Sequence, residues 1–480
     1  MLKFKTISGS NGKGVTLDES QLAEFSQQIR GDLIYADDKA YEEARAIWNG
    51  MIDKSPAAIL RCAGTADVVK AVKFAGEHDL LLSVRGGGHN VAGHALCDGC
   101  LTIDLSQMKG IHVDPHTQTA RVQPGVNLGD LDRETQIFGL ATPTGIVSET
   151  GLAGLTLGGG FGWLTRKHGF TADNLLSADV VTADGRVLRA SQDENPDLFW
   201  GIRGGGGNFG IVTSFEYQLH PVGPDVLAGL VVHRMEDAAD VLRFYRDFAA
   251  EAPQELGSMA VFRLAPPAPF IPEALRGQPI MALILFYAGD VKKGEDVVRP
   301  LREFGQPLAD LVNVKSYIAH QTALDQGQPE GYQYYWKSEY LSQLDDEVIE
   351  TAVAYSAEMT SSQTRVAIFQ LGGAASQVDE MATATGHREA EYILAINNGW
   401  ENPADNEQQI QWTRDFWREV QQFSTGGAYV NFMSADEGQE RVKAGYGAEK
   451  YERLVEVKSR YDPNNFFRIN QNVKPNGGIE

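Results

Sequence analysis

Cysteine is scarce: three in 480 residues, Cys62, Cys97 and Cys100. An odd, sparse count argues against a disulfide framework. Cys97-Asp98-Gly99-Cys100 has C-x-x-C spacing, but no second ligand pair lies nearby to complete a zinc site, so no metal is expected. Its Asp-Gly core reads as a turn between strands. Positive charge is also short, with 42 Lys and Arg against 64 Asp and Glu and a formal net charge of −22. Phosphates would meet a repulsive field, which disfavours nucleic acid and anionic membrane as partners. There is no run of about 20 apolar residues to span a bilayer. Met1 to Gly14 lacks the apolar core of a secretory signal, so the expectation is an acidic cytoplasmic enzyme. No repeat of 20–50 residues and no low-complexity tract is visible.

Glycine, by contrast, is plentiful at 51 residues, while proline stands at 19. Without low complexity, disorder does not explain it. Three clusters fall in one half of the chain: Arg85-Gly86-Gly87-Gly88-His89, Gly158-Gly159-Gly160-Phe161-Gly162, and Gly204-Gly205-Gly206-Gly207-Asn208-Phe209-Gly210. Leu80-Leu81-Leu82-Ser83-Val84 leads into the first as a buried strand. Backbone amides approach a bulky ligand closely only where Cβ atoms are absent. A cofactor cradle with an imidazole at its edge is the functional reading. Gly-rich turns beside a surface histidine are the bland one, and three clusters together weigh against it.

Around these clusters residues 50–220 read as mixed α+β. Thr65 caps a helix through about Gly76. Leu101 to Leu105 and Thr119 to Gln123 alternate as strands, and Leu128 to Phe138 is a helix ended by Gly139. Ala183-Asp184-Gly185 joins two strands as a hairpin. From about 225 the strands lengthen: Leu227 to His233, Gln278 to Tyr287, Thr364 to Leu371. Helices run over about Glu236 to Ala250, Asp346 to Met359 and Asn406 to Gln422. Ala428 to Phe432 returns to strand, and Ser434-Ala435-Asp436-Glu437 is a capping box opening a helix. Trp163 to Gly169 begins as a short helix. Its Arg166-Lys167 pair suits either an anionic group or solvent.

Gly205-x-Gly207-x-x-Gly210 matches the dinucleotide fingerprint, whose pyrophosphate sits on a following helix. Here Ile211 to Leu219 follows with period two, Ile, Thr, Phe, Tyr and Leu on one parity. That is a strand, so the Rossmann reading fails. Free amides of a glycine loop still hold a pyrophosphate without a helix, and a flavin dinucleotide fits better than a nicotinamide one.

Ser83-Val84-Arg85-Gly86-Gly87-Gly88-His89-Asn90 resembles the histidyl-flavin motif of the vanillyl-alcohol oxidase/p-cresol methylhydroxylase superfamily. Gly158 to Gly169, Asp197 to Val212, and Tyr461-Asp462-Pro463-Asn464-Asn465-Phe466-Phe467-Arg468-Ile469-Asn470-Gln471 narrow the resemblance to its berberine bridge enzyme-like branch. It implies an α+β fold. Residues 1–220 would form a PCMH-type FAD-binding domain that 428–480 completes. Residues 221–427 would form a substrate domain, an antiparallel sheet backed by helices and roofing the flavin ring. FAD would be bonded through its 8α-methyl to His89. Carried over, Arg85, Gly86, Gly87, Gly88 and Asn90 surround the cofactor with Gly151, Gly154, Gly158, Gly159, Gly160 and Gly162. Gly210, Ile211, Val212, Asn470 and Gln471 do so from further along the chain. Many members attach the flavin again through a cysteine, and that position falls on Val147, which implies the mono-covalent type that includes the 6-hydroxynicotine oxidases. Thr150 falls where relatives gate oxygen access, which implies an oxidase using O2 and releasing H2O2; a dehydrogenase with another acceptor stays open.

The substrate is then a small molecule whose C–H faces flavin N5, with a base for the proton if it is an alcohol. Tyr429 is the candidate base, Asn431 its polar neighbour; an aromatic closing the core is the equal alternative. Tyr335 and Glu339 lie on one face of a strand with Lys337, opposite Tyr334, Trp336, Ser338 and Tyr340, and either face suits a pocket. Gln370, before a Gly-Gly pair, is a further candidate. The expected reaction is oxidation of an alcohol or sugar hydroxyl; the alternatives are oxidation of a C–N bond in an alkaloid-like amine through a more apolar site, and flavin carriage without turnover.

Overall fold

The computed structural model describes residues 4–477. Two main sheets, two small two-stranded ones and a set of helices make its lower half. In the first, Ala58–Arg61 and Leu82–Arg85 both run parallel to the strand between them, Leu101–Asp104, and Asp32–Ile34 closes one edge antiparallel. The helix Thr65–Glu77 crosses over between the outer parallel strands and buries Val68, Ala71, Val72 and Ala75 against them. The second sheet is antiparallel, in the order Val187–Ser191, Leu175–Val181, Ile211–Gln218, Thr119–Val122, Ile111–Asp114. The strand read from period two after Gly210 is therefore present, and so is the hairpin at 183–185.

The upper half is one large antiparallel sheet. Its main strands run in the order Asp225–Arg234, Pro279–Tyr287, Leu256–Leu264, Arg365–Gln370, Tyr392–Trp400, Gln333–Leu341. Successive side chains on a strand point to opposite faces. Ala260, Phe262, Val366, Ile368, Leu394 and Ile396 pack under the helices Ala238–Glu251, Asp346–Ala357 and Asn406–Gln421. The other parity, Met259, Val261, Ala367, Phe369, Ile393 and Ala395, packs downward with Phe161 and Tyr429. Both faces carry many apolar side chains because both are covered.

The chain then returns to the lower half. Helices Gln439–Tyr446 and Ala448–Tyr461 bury Val442, Tyr446, Leu454 and Val457 in the same core as Leu198, Trp200, Phe209 and Phe215.

Four expectations about local structure change. Residues 428–432 are not a strand: after an extended Tyr429 they wind into the 3₁₀ turn Val430–Phe432. Ser434 to Glu437 caps no helix, which starts at Gln439 behind Gly438. Ser434 Oγ instead donates to Trp336 O at 2.8 Å, and Asp436 and Glu437 pair with Lys337. Arg166 meets neither an anion nor solvent; it donates to the carbonyls of Leu256, Leu371 and Ala252, tying the lower half to the sheet above. Finally, Cys97 and Cys100 are bonded to each other. The turn between them closes a ring too local to count as a framework, and the count of three hid it. No helix among the described residues is long and apolar enough to cross a membrane.

Candidate active site

A cavity of about 780 Å³ lies between the glycine loops below and the large sheet above. Its floor begins at the carboxyl end of Leu82–Arg85, where parallel strands release their loops toward ligands. Gly86, Gly87, Gly88, His89 and Asn90 all line it. A Cβ on Gly87 would stand 2.4 Å from Gly151 Cα, and one on Gly151 would stand 2.6 Å from Gly87 Cα. Two backbones thus touch where neither tolerates a side chain, and the first loop is clamped to the turn Val147–Gly151.

Val147, Thr150, Gly151, Gly154 and Gly158 line the cavity as expected, as do Gly210, Ile211, Val212, Asn470 and Gln471. Four expected residues do not. Arg85 turns away, its guanidinium donating to Ala44 O at 2.6 Å behind the loop. Gly159 packs on Thr385, Gly160 on Thr171, and Gly162 on the Thr144 carbonyl. These three shape the bend that delivers Phe161 into the core rather than touching a ligand.

The segment carrying Asn470 and Gln471 is held from below. Lys458 Nζ, fully buried, donates to Asn208 O at 2.8 Å, Phe467 O at 2.9 Å and Asp462 Oδ2 at 2.6 Å. Asn208 in turn donates to Gln471 O and accepts from Val473 N at 2.9 Å. The Gly206–Asn208 turn and the C-terminal segment are thereby one unit.

His89 stacks on Trp48 with ring centroids 4.6 Å apart, and burial pushes its imidazole down to about 4, so it is neutral. Trp48 stacks on Tyr334 at 3.8 Å and meets Trp336 edge-on. From Trp336 the aromatic wall continues through Phe432 to Tyr429 and Phe161. Nothing in the local sequence around Trp48 marked it.

Tyr429 and Asn431 line the cavity. The Tyr429 hydroxyl accepts from Gly160 N at 3.1 Å and from Asn431 Nδ2 at 2.8 Å. Burial pushes the phenol up to about 12 in spite of those two donors. It is a neutral group whose lone pairs are taken and whose proton is free to be donated.

The other three catalytic candidates point away from the cavity. Gln370 shares the parity of Ile368, accepting from Ser258 Oγ at 2.7 Å and donating to Ala249 O at 2.8 Å under the helices. Tyr335 donates to Asp436 Oδ2 at 2.7 Å. Glu339 receives Trp417 Nε1 at 2.6 Å and also bonds Ser424 and Arg441. Their strand offers the cavity its other parity, through Trp336.

The cavity fits FAD. Gly154 and Gly207 have open space where a Cβ would stand, and Asn470 Oδ1 is buried without a partner. Free backbone and amide groups on a wide, glycine-floored cleft suit a dinucleotide. Fold and cleft together define a flavin-dependent oxidoreductase.

Residues 56–191 match the FAD binding domain family and residues 428–474 the berberine and berberine-like family. An FAD-linked oxidoreductase of Dictyostelium discoideum is 32% identical, covering 94% of this chain and 96% of its own. (R)-6-hydroxynicotine oxidase of Paenarthrobacter nicotinovorans is also 32% identical, covering 94% and 98%. The crystal structure of 6-hydroxy-D-nicotine oxidase from Arthrobacter nicotinovorans superposes with a TM-score of 0.83 at 30% identity, over 93% of this chain and 98% of that one. The chain belongs to the berberine bridge enzyme-like FAD-linked oxidoreductases, within the PCMH-type superfamily.

Proposed function

We propose that this enzyme oxidises a C–N bond in a compact, largely apolar amine, with O2 as the final acceptor and H2O2 as product. When bound, the flavin supplies the hydride acceptor. The observation that carries the reading is the state of Tyr429. It is the one anticipated base that lines the cavity, and it is poised to donate a proton, not to accept one from a hydroxyl. Part of the wall supports this: Leu230, Val232, Val261, Ile280, Ile284 and Phe369 form an apolar surface for the body of such an amine. An amine loses its hydride without a base for a hydroxyl. The likeness to (R)-6-hydroxynicotine oxidase supports the same class.

His89 alone tethers the flavin in this reading. Its imidazole is neutral, so a ring nitrogen would have the lone pair that attachment at the flavin 8α-carbon needs; the methyl would lose one hydrogen as a proton, the flavin would take up the two electrons, and O2 would reoxidise it. Among the described residues no free thiol reaches the cavity: Cys62 is buried elsewhere, Cys97 and Cys100 are joined, and Val147 holds the wall where a second link would form. The domain division follows the same logic, with 1–220 and 428–480 enclosing the cofactor and 221–427 roofing it.

The test mixes holoenzyme anaerobically with cyclic amines, alcohols and sugars, follows flavin bleaching, then admits air and measures peroxide. Cyclic amines should bleach the flavin and yield peroxide. Bleaching by sugars alone refutes the amine reading, bleaching without peroxide refutes oxygen as acceptor, and no bleaching by any class makes the protein a carrier. For the tether, acid-denatured wild type should keep its flavin on the polypeptide and His89→Ala should release it; free flavin from wild type refutes the bond.

A further inference from the structure

Four polar side chains form one row across the roof. Trp336 opposes Asn397, and Asn397 opposes Arg365. On the next strand Phe262 opposes Val366, which sets Arg263 beside Arg365. All four line the cavity. Like charges directly opposite on neighbouring strands destabilise a sheet, and burial disfavours both guanidinium charges, Arg365 further because of Arg263.

Neither arginine forms an ion pair among the described residues, and none of the described acidic side chains lines the cavity. Arg365 Nη1 donates to the carbonyls of Ser362 and Thr364, and Arg263 Nε to that of Leu264. Among the described residues, Arg263 Nη1 and Nη2 and Arg365 Nε and Nη2 have no acceptor. By contrast, Arg388 pairs with Asp173, and Arg166 donates all three of its guanidinium nitrogens to carbonyls. What sets Arg263 and Arg365 apart is that they lie side by side and both open onto the cavity, where a ligand of opposite charge would meet them. Guanidinium forks match a carboxylate, and the low-polarity walls strengthen that pairing.

We propose that Arg263 and Arg365 anchor a carboxylate on the substrate, so that the enzyme acts on an apolar amine carrying a carboxylate. The apolar body lies against Ile284, Ala367 and Phe369, and the carboxylate neutralises the pair. A cationic amine without one is repelled by the two arginines; with one it enters as a net-neutral molecule, and its ammonium proton passes to water before the hydride leaves. This rests on the oxidase reading of the cavity, and its test does not need turnover.

Holoenzyme is titrated with benzoate, with benzamide as the uncharged isostere and benzylamine as the cation, following the flavin absorption spectrum and heat release. Benzoate should bind at least about tenfold tighter than benzamide, because hydrogen bonds between charged groups are worth about 10- to 100-fold. Arg263→Gln and Arg365→Gln should each weaken benzoate and leave benzamide unchanged, and the double variant should bind the two alike. Arg365→Lys should retain part of the preference. Equal affinity for benzoate and benzamide in wild type, no benzoate binding at all, or a preference that survives in the folded double variant overturns the anchor. The wild-type comparison stands even if a variant fails to fold. Benzoate preference with no flavin bleaching by carboxylated amines sinks the proposed reaction and leaves the anchor standing.

Discussion

Lys458→Met puts a number on the clamp beneath the cavity. The substitution removes three hydrogen bonds at once, from Asn208 O, Phe467 O and Asp462 Oδ2. Asp462 stays fully buried with only the amides of Phe466 and Phe467 to hold its charge, at 2.7 and 2.8 Å. Removing one partner of a buried ion pair costs about 3–5 kcal/mol. Orphaned carbonyls belong to the same unit, so their cost of about 1–3 kcal/mol each does not simply add. The expected loss is therefore about 4 kcal/mol, within the range quoted for the pair. Replacing both partners, Lys458→Met with Asp462→Leu, removes the stranded charge and should recover about 2 kcal/mol of it, since apolar replacements of buried pairs are often near neutral. Denaturant unfolding with flavin and tryptophan signals measures both variants. Hydrogen exchange at the Val473 amide, which Asn208 Oδ1 accepts, reports whether the turn has come loose. A single variant within 1 kcal/mol of wild type, or a double variant no more stable than the single, refutes the argument.

Tyr429→Phe should slow amine oxidation by less than about tenfold, whereas a true general base would cost about 10²–10⁴-fold; single-turnover flavin bleaching decides. Gly87→Ala forces a methyl onto Gly151 and should cost about 1–3 kcal/mol along with flavin content, while Gly154→Ala, with open space at that atom, should fold as wild type. His320 is buried beside Trp163 and Phe286 and pushed down to about 3 by burial. The unfolded chain takes up its proton near pH 6.5 and the folded one does not, so stability falls as pH drops from about 6.5 toward 3, by up to about 1.4 kcal/mol per unit. His320→Phe should flatten that part of the melting-temperature profile, and parallel profiles would exclude His320 as the cause. Alkylation of denatured, unreduced protein should modify Cys62 alone, and all three cysteines after reduction; three labels before reduction would contradict the Cys97–Cys100 bond.

Much of the floor was legible in the residues. Glycine clusters announced close backbone approach, and period two after Gly210 separated this fold from a Rossmann one. The roof was legible as strands but not as sides. Its strands are buried on both faces, so Gln370 and Phe369 carry no pattern that says which one meets the cavity. Only the pairing with helices settles that Gln370, Tyr335 and Glu339 look outward and that Arg263, Arg365 and Trp336 look inward. The Ser434–Glu437 box failed for a related reason: a tertiary partner, Lys337, claimed the acidic side chains that a helix start would have used. Trp48 lay beyond reach because its importance comes from stacking on His89, and no spacing encodes that.

The link from Asn208 to Val473 spans 265 positions, and that distance orders events during synthesis. The ribosome makes the glycine loops and His89 early, but residues 458–473 that lock the Gly206–Asn208 turn emerge hundreds of residues later. Until then the floor of the cleft lacks one wall. A nascent chain therefore holds a half-built flavin site, and secure capture of the cofactor waits until the last helices have been translated and have folded back.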